Sequence, residues 1–152
     1  MNVHNGHLIR ILHWCTDQTM SAALEEMDLT AAQGRIMGFV AHQQEPPCPR
    51  DIETEFHLSH PTGSGLLSRL EQKGFIQLCS DPVDRRCLRS YIQPRGLECH
   101  QAMHQTILSI ESRLVQDFTE EEKQQFSIFL QKAISNMGIT PCQPNPKEEP
   151  KQ

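Results

Sequence analysis

The sequence predicts a mainly α chain with a small β-hairpin wing: a winged helix-turn-helix lobe on a frame of longer helices. Three observations predict it. Apolar residues recur at helical spacing in several separate segments. One polar turn, Asp81-Pro82-Val83-Asp84-Arg85-Arg86, separates two short strand-like runs. β-branched runs are scarce and Tyr and Trp occur once each, which leaves little material for a larger sheet.

The elements follow in order. From Gly6 to about Met27, Leu8, Ile11, Leu12, Cys15, Ala22 and Ala23 fall on one stripe, with Thr19, and predict a long amphipathic helix. Asp28-Leu29 is a short link. Thr30-Ala31-Ala32-Gln33 is a capping box: the Thr hydroxyl accepts the Gln33 N–H, and the Gln side chain reaches back to the Thr N–H. It opens a second helix with Ile36, Phe39 and Val40 on its core side, which must end before Pro46-Pro47. Pro49 suits the first turn of a short third helix, Arg50 to Phe56.

A turn at His57-Leu58-Ser59 leads to a fourth helix from about His60 to Lys73, stopped by Gly74. Phe75 to Ser80 and Cys87 to Gln93 read as the two strands of the hairpin. Pro94 and Gly96 then separate the hairpin from a long helix, about Leu97 to Asp117. Thr119-Glu120-Glu121-Glu122 is a second capping box and opens a last helix to about Met137. The four prolines and several charges beyond Gly138 predict a disordered tail over residues 139–152. Helix–turn–helix followed at once by a hairpin is the winged arrangement.

At 152 residues the chain fits one domain-sized fold, and its 37% apolar content allows a real core. Its net charge is −5, but the distribution is uneven. Between His57 and Gly96 six Lys and Arg face three acids, whereas the remainder holds eight against sixteen. A basic middle between acidic flanks suits a nucleic-acid lobe on a solvated frame; ordinary scatter of charge is the other reading. The start, MNVHNGHLIRIL, has no basic stretch followed by a long apolar run, and no segment approaches the roughly 20 apolar residues of a membrane span. A cytoplasmic protein without membrane partners is expected. The six cysteines (15, 48, 79, 87, 99 and 142) form no CxxC and are expected to be reduced, most of them buried as small apolar residues. There is no nucleophile–base–acid spacing, phosphate loop or HExxH, so neither an enzyme nor a cofactor is expected.

The fourth helix carries the functional signal. Leu66, Leu67 and Leu70 fall on one face with Gly63. The opposite face holds Pro61, Ser64, Gly65, Ser68 and Gln72, flanked by Thr62 and Arg69. Short donors and acceptors near a helix N-terminus, with a nearby cation, are what a major groove requires. Gly63 and Gly65 each cost about 1 kcal/mol of helix propensity against Ala, which suggests close approach, of a neighbouring helix or of DNA. An ordinary amphipathic helix with a solvated face is the alternative. The hairpin tip, with Arg85 and Arg86 side by side, tips the balance. Such a tip can reach a minor groove, and Asp84 can hold one arginine in place.

The segments Leu29-Thr30-Ala31-Ala32-Gln33, Asp51-Ile52, Leu58-Ser59-His60-Pro61-Thr62, Leu66 to Ile76 and Asp81 to Arg86 together resemble the MarR family, from about residue 29 to 97. Gly63 and Gly65 depart from that family's bulkier residues, and Gln93-Pro94 replaces a customary Leu-Thr. The resemblance implies a bacterial, homodimeric DNA-binding regulator, a repressor relieved by a small-molecule ligand. Residues 1–28 and 97–138 would form the dimerisation region and 29–96 the DNA-binding lobe. It also implies Ser59, Pro61, Thr62, Ser64, Ser68 and Arg69 at the major groove, with Arg86 or Arg85 as the wing finger and Asp84 as its anchor. Double-stranded DNA with a pseudo-palindromic site is the expected partner, its half-sites about one helical turn apart.

Signals for what is sensed are weaker. Cys15 beside His13 and Trp14 is a candidate redox sensor or a core residue. His100 and His104 share a helix face near Cys99 and could bind a metal if His7, His13 or His42 joined them, although a packing role is the preferred reading and no metal is expected. Cys79 and Cys87 flank the wing and could approach each other. The default ligand is an apolar or aromatic molecule in a crevice between frame and lobe. A metal- or redox-sensing regulator and a winged-helix protein-interaction module remain alternatives.

Overall fold

The computed structural model describes residues 4–138. The expected disordered tail and Cys142 lie outside the described residues. The elements are α1 (Asn5–Glu26), α2 (Ala31–His42), α3 (Pro49–Glu55), α4 (His60–Gln72), β1 (Ile76–Ser80), β2 (Leu88–Ile92), α5 (Pro94–Leu114) and α6 (Glu120–Asn136). The chain is mainly helical with one two-stranded antiparallel hairpin, as its sequence predicts. It divides into two units, one running to Glu111 and one from Ser112.

In the first unit the helix ends follow local chemistry. Asp28 turns the chain out of α1 with φ +59°, and the Leu29 N–H returns to the Leu24 carbonyl at 2.9 Å. The Thr30–Gln33 capping box is formed both ways, at 3.2 and 3.1 Å. At α3, Cys48 occupies the N-cap and donates its N–H to Asp51 Oδ2 at 2.9 Å. Backbone and thiol hydrogen bonds from Cys48 hold the Asp51 carboxyl below the usual carboxylate range. Gly74, at φ +77°, ends α4 in the left-handed region that glycine enters without strain.

Two hinges join these elements. Lys73, at the end of α4, donates to the Asp28 carbonyl at 2.6 Å and lies 3.4 Å from both the Asp28 carboxylate and Gln33 Oε1. Arg95 in turn donates to the Lys73 carbonyl, its guanidinium stacked 4.6 Å above the Phe75 ring centroid. Gly96 is buried, and a Cβ there would collide with the Phe75 carbonyl and come within 2.6 Å of Ile92 Cδ1. Only a glycine lets α5 start so close to the hairpin.

The core is Leu24, Leu29, Ile36, Met37, Val40, Ile52, Leu67, Leu70, Phe75 and Ile76. It fills the space between α2, α3, α4 and β1. β1 pairs with β2 in the register Ile76↔Ile92 through Ser80↔Leu88. The Ser90 N–H donates to the Pro47 carbonyl at 2.9 Å, so the loop before α3 runs along the free side of β2.

Three expectations need correction. α5 begins at Pro94, not Leu97: proline suits a first helical turn, and the Leu97 N–H already reaches the Gln93 carbonyl at 3.0 Å. It ends at Leu114 rather than Asp117. No described cysteine is buried: Cys15 is exposed and Cys48, Cys79, Cys87 and Cys99 are half-buried. On the α1 stripe Leu8, Ile11, Cys15 and Ala22 are likewise exposed, because periodicity marks an apolar face without saying what covers it.

In the second unit, α6 opens on the predicted capping box. The Glu122 N–H donates to Thr119 Oγ1 at 3.2 Å and the Thr119 N–H to Glu122 Oε2 at 2.8 Å. Phe118 and Phe126 meet edge to face at 5.6 Å.

Candidate nucleic-acid interface

The candidate site is built from α4 and the β1–β2 hairpin. Ser59 caps α4: its Oγ accepts the Thr62 N–H at 3.4 Å and donates to Thr62 Oγ1 at 2.9 Å. Gly63, Leu67 and Leu70 are buried on the inner face of the helix. Ser59, Pro61, Thr62, Ser68 and Arg69 are exposed and Ser64 is half-buried, so the outer face is the small, hydroxylated surface expected from the sequence. The two glycines separate by cause. A Cβ on Gly63 would lie 2.9 Å from Glu53 Cγ, so Gly63 admits α3; Gly65 faces open space. Glu53 also lies 2.7 Å from His60 Nδ1, which ties α3 to the first turn of α4.

The wing is held by a pair that the sequence reading did not assign. Asp81 is nearly buried. Its Oδ1 accepts the N–H groups of Val83 at 2.7 Å and Asp84 at 3.2 Å, and its Oδ2 accepts Arg89 Nε at 2.6 Å. Arg89 Nη1 also donates to the Pro46 carbonyl at 3.1 Å. The Arg89 guanidinium, followed by the two turn amides, holds the Asp81 carboxyl below its ordinary value. The expected anchor, Asp84, instead accepts the Arg86 backbone N–H at 3.0 Å and shapes the tip. Arg85 and Arg86 are exposed, and among the described residues neither guanidinium forms an ion pair. The Asp-Pro turn signal was visible; its reach to an arginine eight residues on depended on hairpin register.

The profile of the MarR family matches residues 27–86. No curated protein sequence matches the chain. Solved structures do. The complex of Staphylococcus aureus MepR with DNA is 30% identical, covering 87% of this chain and 98% of that one, with a TM-score of 0.75. Staphylococcus aureus MepR alone, a transcription regulator of the multidrug efflux pump MepA, is 29% identical over 89% of this chain and 99% of its own, with a TM-score of 0.79. The chain belongs to the MarR family.

In this MarR-family chain the candidate sensor residues are dispersed. Cys15 is exposed on α1 rather than packed in a core. His100 meets His42 edge to face at 4.7 Å. Among the described residues no group of three or more His, Cys, Asp and Glu is placed to hold a metal ion. Cys79 stands opposite Arg89 in the hairpin register, not opposite Cys87. An open groove of about 340 Å³ runs between α1 and α5, lined by His13, Thr16, Asp17, Met20, Ile107, Ile110 and Glu111. Among the described residues no helix is long and apolar enough to cross a membrane.

Proposed function

We propose that this MarR-family chain is a homodimeric transcription regulator that binds double-stranded DNA sequence-specifically and acts as a repressor in the cytoplasm. The observation that carries the reading is the pairing of two exposed surfaces on one lobe. One is the small polar face of α4 (Pro61, Thr62, Ser64, Ser68 and Arg69); the other is the Arg85–Arg86 tip of a wing braced by Asp81 and Arg89. α4 suits a major groove, where short side chains let base edges come close. The wing arginines suit the adjacent minor groove. MepR, of the same family and closely similar fold, is found in complex with DNA.

The dimer reading is supported by what the helices outside the lobe leave uncovered. Ile9, Trp14, Ile107, Leu108, Ile128 and Phe129 are all at least 45% exposed, more apolar surface than a soluble monomer usually presents. A two-fold dimer would read a pseudo-palindrome with half-sites about one helical turn apart. The ligand that relieves repression, expected from the sequence in a crevice between frame and lobe, is assigned in this reading to the groove between the frame helices α1 and α5, where Met20, Ile107 and Ile110 offer it apolar surface beside Asp17 and Glu111.

The deciding experiment is a gel shift of the purified protein on DNA flanking its own gene, with competitor DNA and a salt series. The expected result is a specific shift that weakens steeply with salt. Arg86→Ala should weaken it by about 1–3 kcal/mol per wing contact. Unchanged affinity in Arg86→Ala would remove the wing from the interface. A folded dimer with no specific shift, on flanking DNA or from a random library, would favour a protein-interaction role.

A further inference from the structure

Two cysteines far apart in sequence meet where the loop before α3 lies along the hairpin. Cys48 is the N-cap of α3. Cys87 is the last residue before β2, and its carbonyl accepts the Asp81 N–H at 2.8 Å, closing the base of the wing. The loop and the hairpin are stitched together next to them, by Ser90 N–H to the Pro47 carbonyl at 2.9 Å and Arg89 Nη1 to the Pro46 carbonyl at 3.1 Å. The Cys87 thiol lies beside the Cys48 thiol, and the Arg89 guanidinium bears on both sulfurs. Both residues are half-buried, so a small oxidant can reach them.

We propose that Cys48 and Cys87 form an oxidisable pair that hydrogen peroxide closes to a disulfide, tying the start of α3 to the base of the wing. In the first step the Cys48 thiol gives its proton to solvent and the thiolate attacks peroxide; the O–O bond breaks, hydroxide leaves and takes up that proton as water, and Cys48 becomes a sulfenic acid. In the second, Cys87 sulfur attacks Cys48 sulfur; the S–O bond breaks and a second water leaves with the Cys87 proton. Two thiols are oxidised and one peroxide is reduced to two waters. Burial, then the neighbouring Cys48, pushes the Cys87 thiol above its usual range, which makes it the poorer first attacker on peroxide.

Closure has a mechanical result. A disulfide holds its sulfurs about 2.05 Å apart, well inside the contact distance of two thiols. The base of the wing must therefore move toward α3, and the tip with it. A minor groove about 6 Å wide tolerates little displacement of an inserted arginine. The regulatory effect rests on the DNA-binding reading; the chemistry of the pair does not.

The test treats the full chain with hydrogen peroxide and reads disulfides by peptide mass and DNA affinity by gel shift. The expected product is a Cys48–Cys87 cross-linked peptide, with DNA affinity lowered at least tenfold and restored by dithiothreitol. Cys48→Ser and Cys87→Ser should bind DNA as the reduced wild type does and be insensitive to peroxide, with a sulfenic acid trapped on Cys48 in Cys87→Ser. Cys15→Ser should remain sensitive. No Cys48–Cys87 peptide, or a cross-link through other cysteines, overturns the pair. A cross-link without change in affinity overturns the wing displacement. A cross-link in a protein that binds no DNA in either state upholds the pair and overturns the regulator reading instead.

Discussion

The winged lobe and the long helices outside it bury their apolar faces in different ways. Between Leu24 and Ile76 ten apolar side chains lie out of water, several of them completely. α1 buries only Leu24, α5 only Gly96, and α6 nothing. Yet α1, α5 and α6 have amphipathic patterns as clear as those of α2 and α4. A lobe that closes on itself is stable within one chain. Helices of the same pattern keep their apolar faces exposed, and a second copy of this chain is the partner proposed above to cover them.

The sharpest way to break this contrast is to cut into both regions. Phe75→Ala removes a wholly buried ring and should cost about 3–5 kcal/mol in denaturant unfolding. Phe129→Ala, at a side chain 62% exposed, should leave the unfolding of the winged lobe within about 0.5 kcal/mol. Equal losses would mean the two regions are not stabilised differently. The next effect is on association: Trp14→Ala should weaken self-association by about 2 kcal/mol in sedimentation experiments, with the lobe still folded. If Trp14→Ala leaves the dimer intact, α1 is not part of the interface.

Smaller effects sharpen the comparison within each region. Thr119→Ala removes a capping box and should cost α6 about 1 kcal/mol, visible as lost helicity by circular dichroism. Gly65→Ala, where a Cβ meets nothing, should stabilise the lobe by up to about 1 kcal/mol. Gly63→Ala, against Glu53, should gain less or destabilise; a gain as large as at Gly65 would show that α3 gives way freely. The most local effect concerns pH. The Asp81 carboxyl is held below its ordinary value, so its contribution is present above about pH 4, the unfolded range, and fades as pH falls through the lower folded value. The protection of the Val83 and Asp84 amides against exchange, relative to the intrinsic rate at each pH, should fall in acid before the core opens, and Asp81→Asn should abolish that dependence.

The parts legible from sequence are those decided within a few residues. Both threonine capping boxes, the proline at the start of α3 and the glycine stop after α4 formed as read, since each satisfies its own backbone groups locally. The outer face of α4 was legible because a helix period fixes it. What escaped depends on pairing across the fold. Asp81 rather than Asp84 holds an arginine because the hairpin register brings Arg89 back beside it and Pro46 receives the other end of the guanidinium. Cys87 meets Cys48 rather than Cys79 because the loop before α3 lies along β2. Whether Gly63 or Gly65 serves helix packing is likewise settled only by where α3 lies.

Lys73 gives α4 a mechanical property. Its ammonium grips the carbonyl and carboxylate of Asp28, while Arg95 grips the Lys73 carbonyl from the other side. The far end of α4 is thus clamped between the exit of α1 and the entry of α5. A tilt of either long helix would bear on α4 through that clamp. The residues at its other end, Pro61 and Thr62, lie farthest from that clamp, in the turn that Glu53 ties to α3 through His60. A small repositioning at the junction would therefore bear on the placement of the end that would meet a base pair.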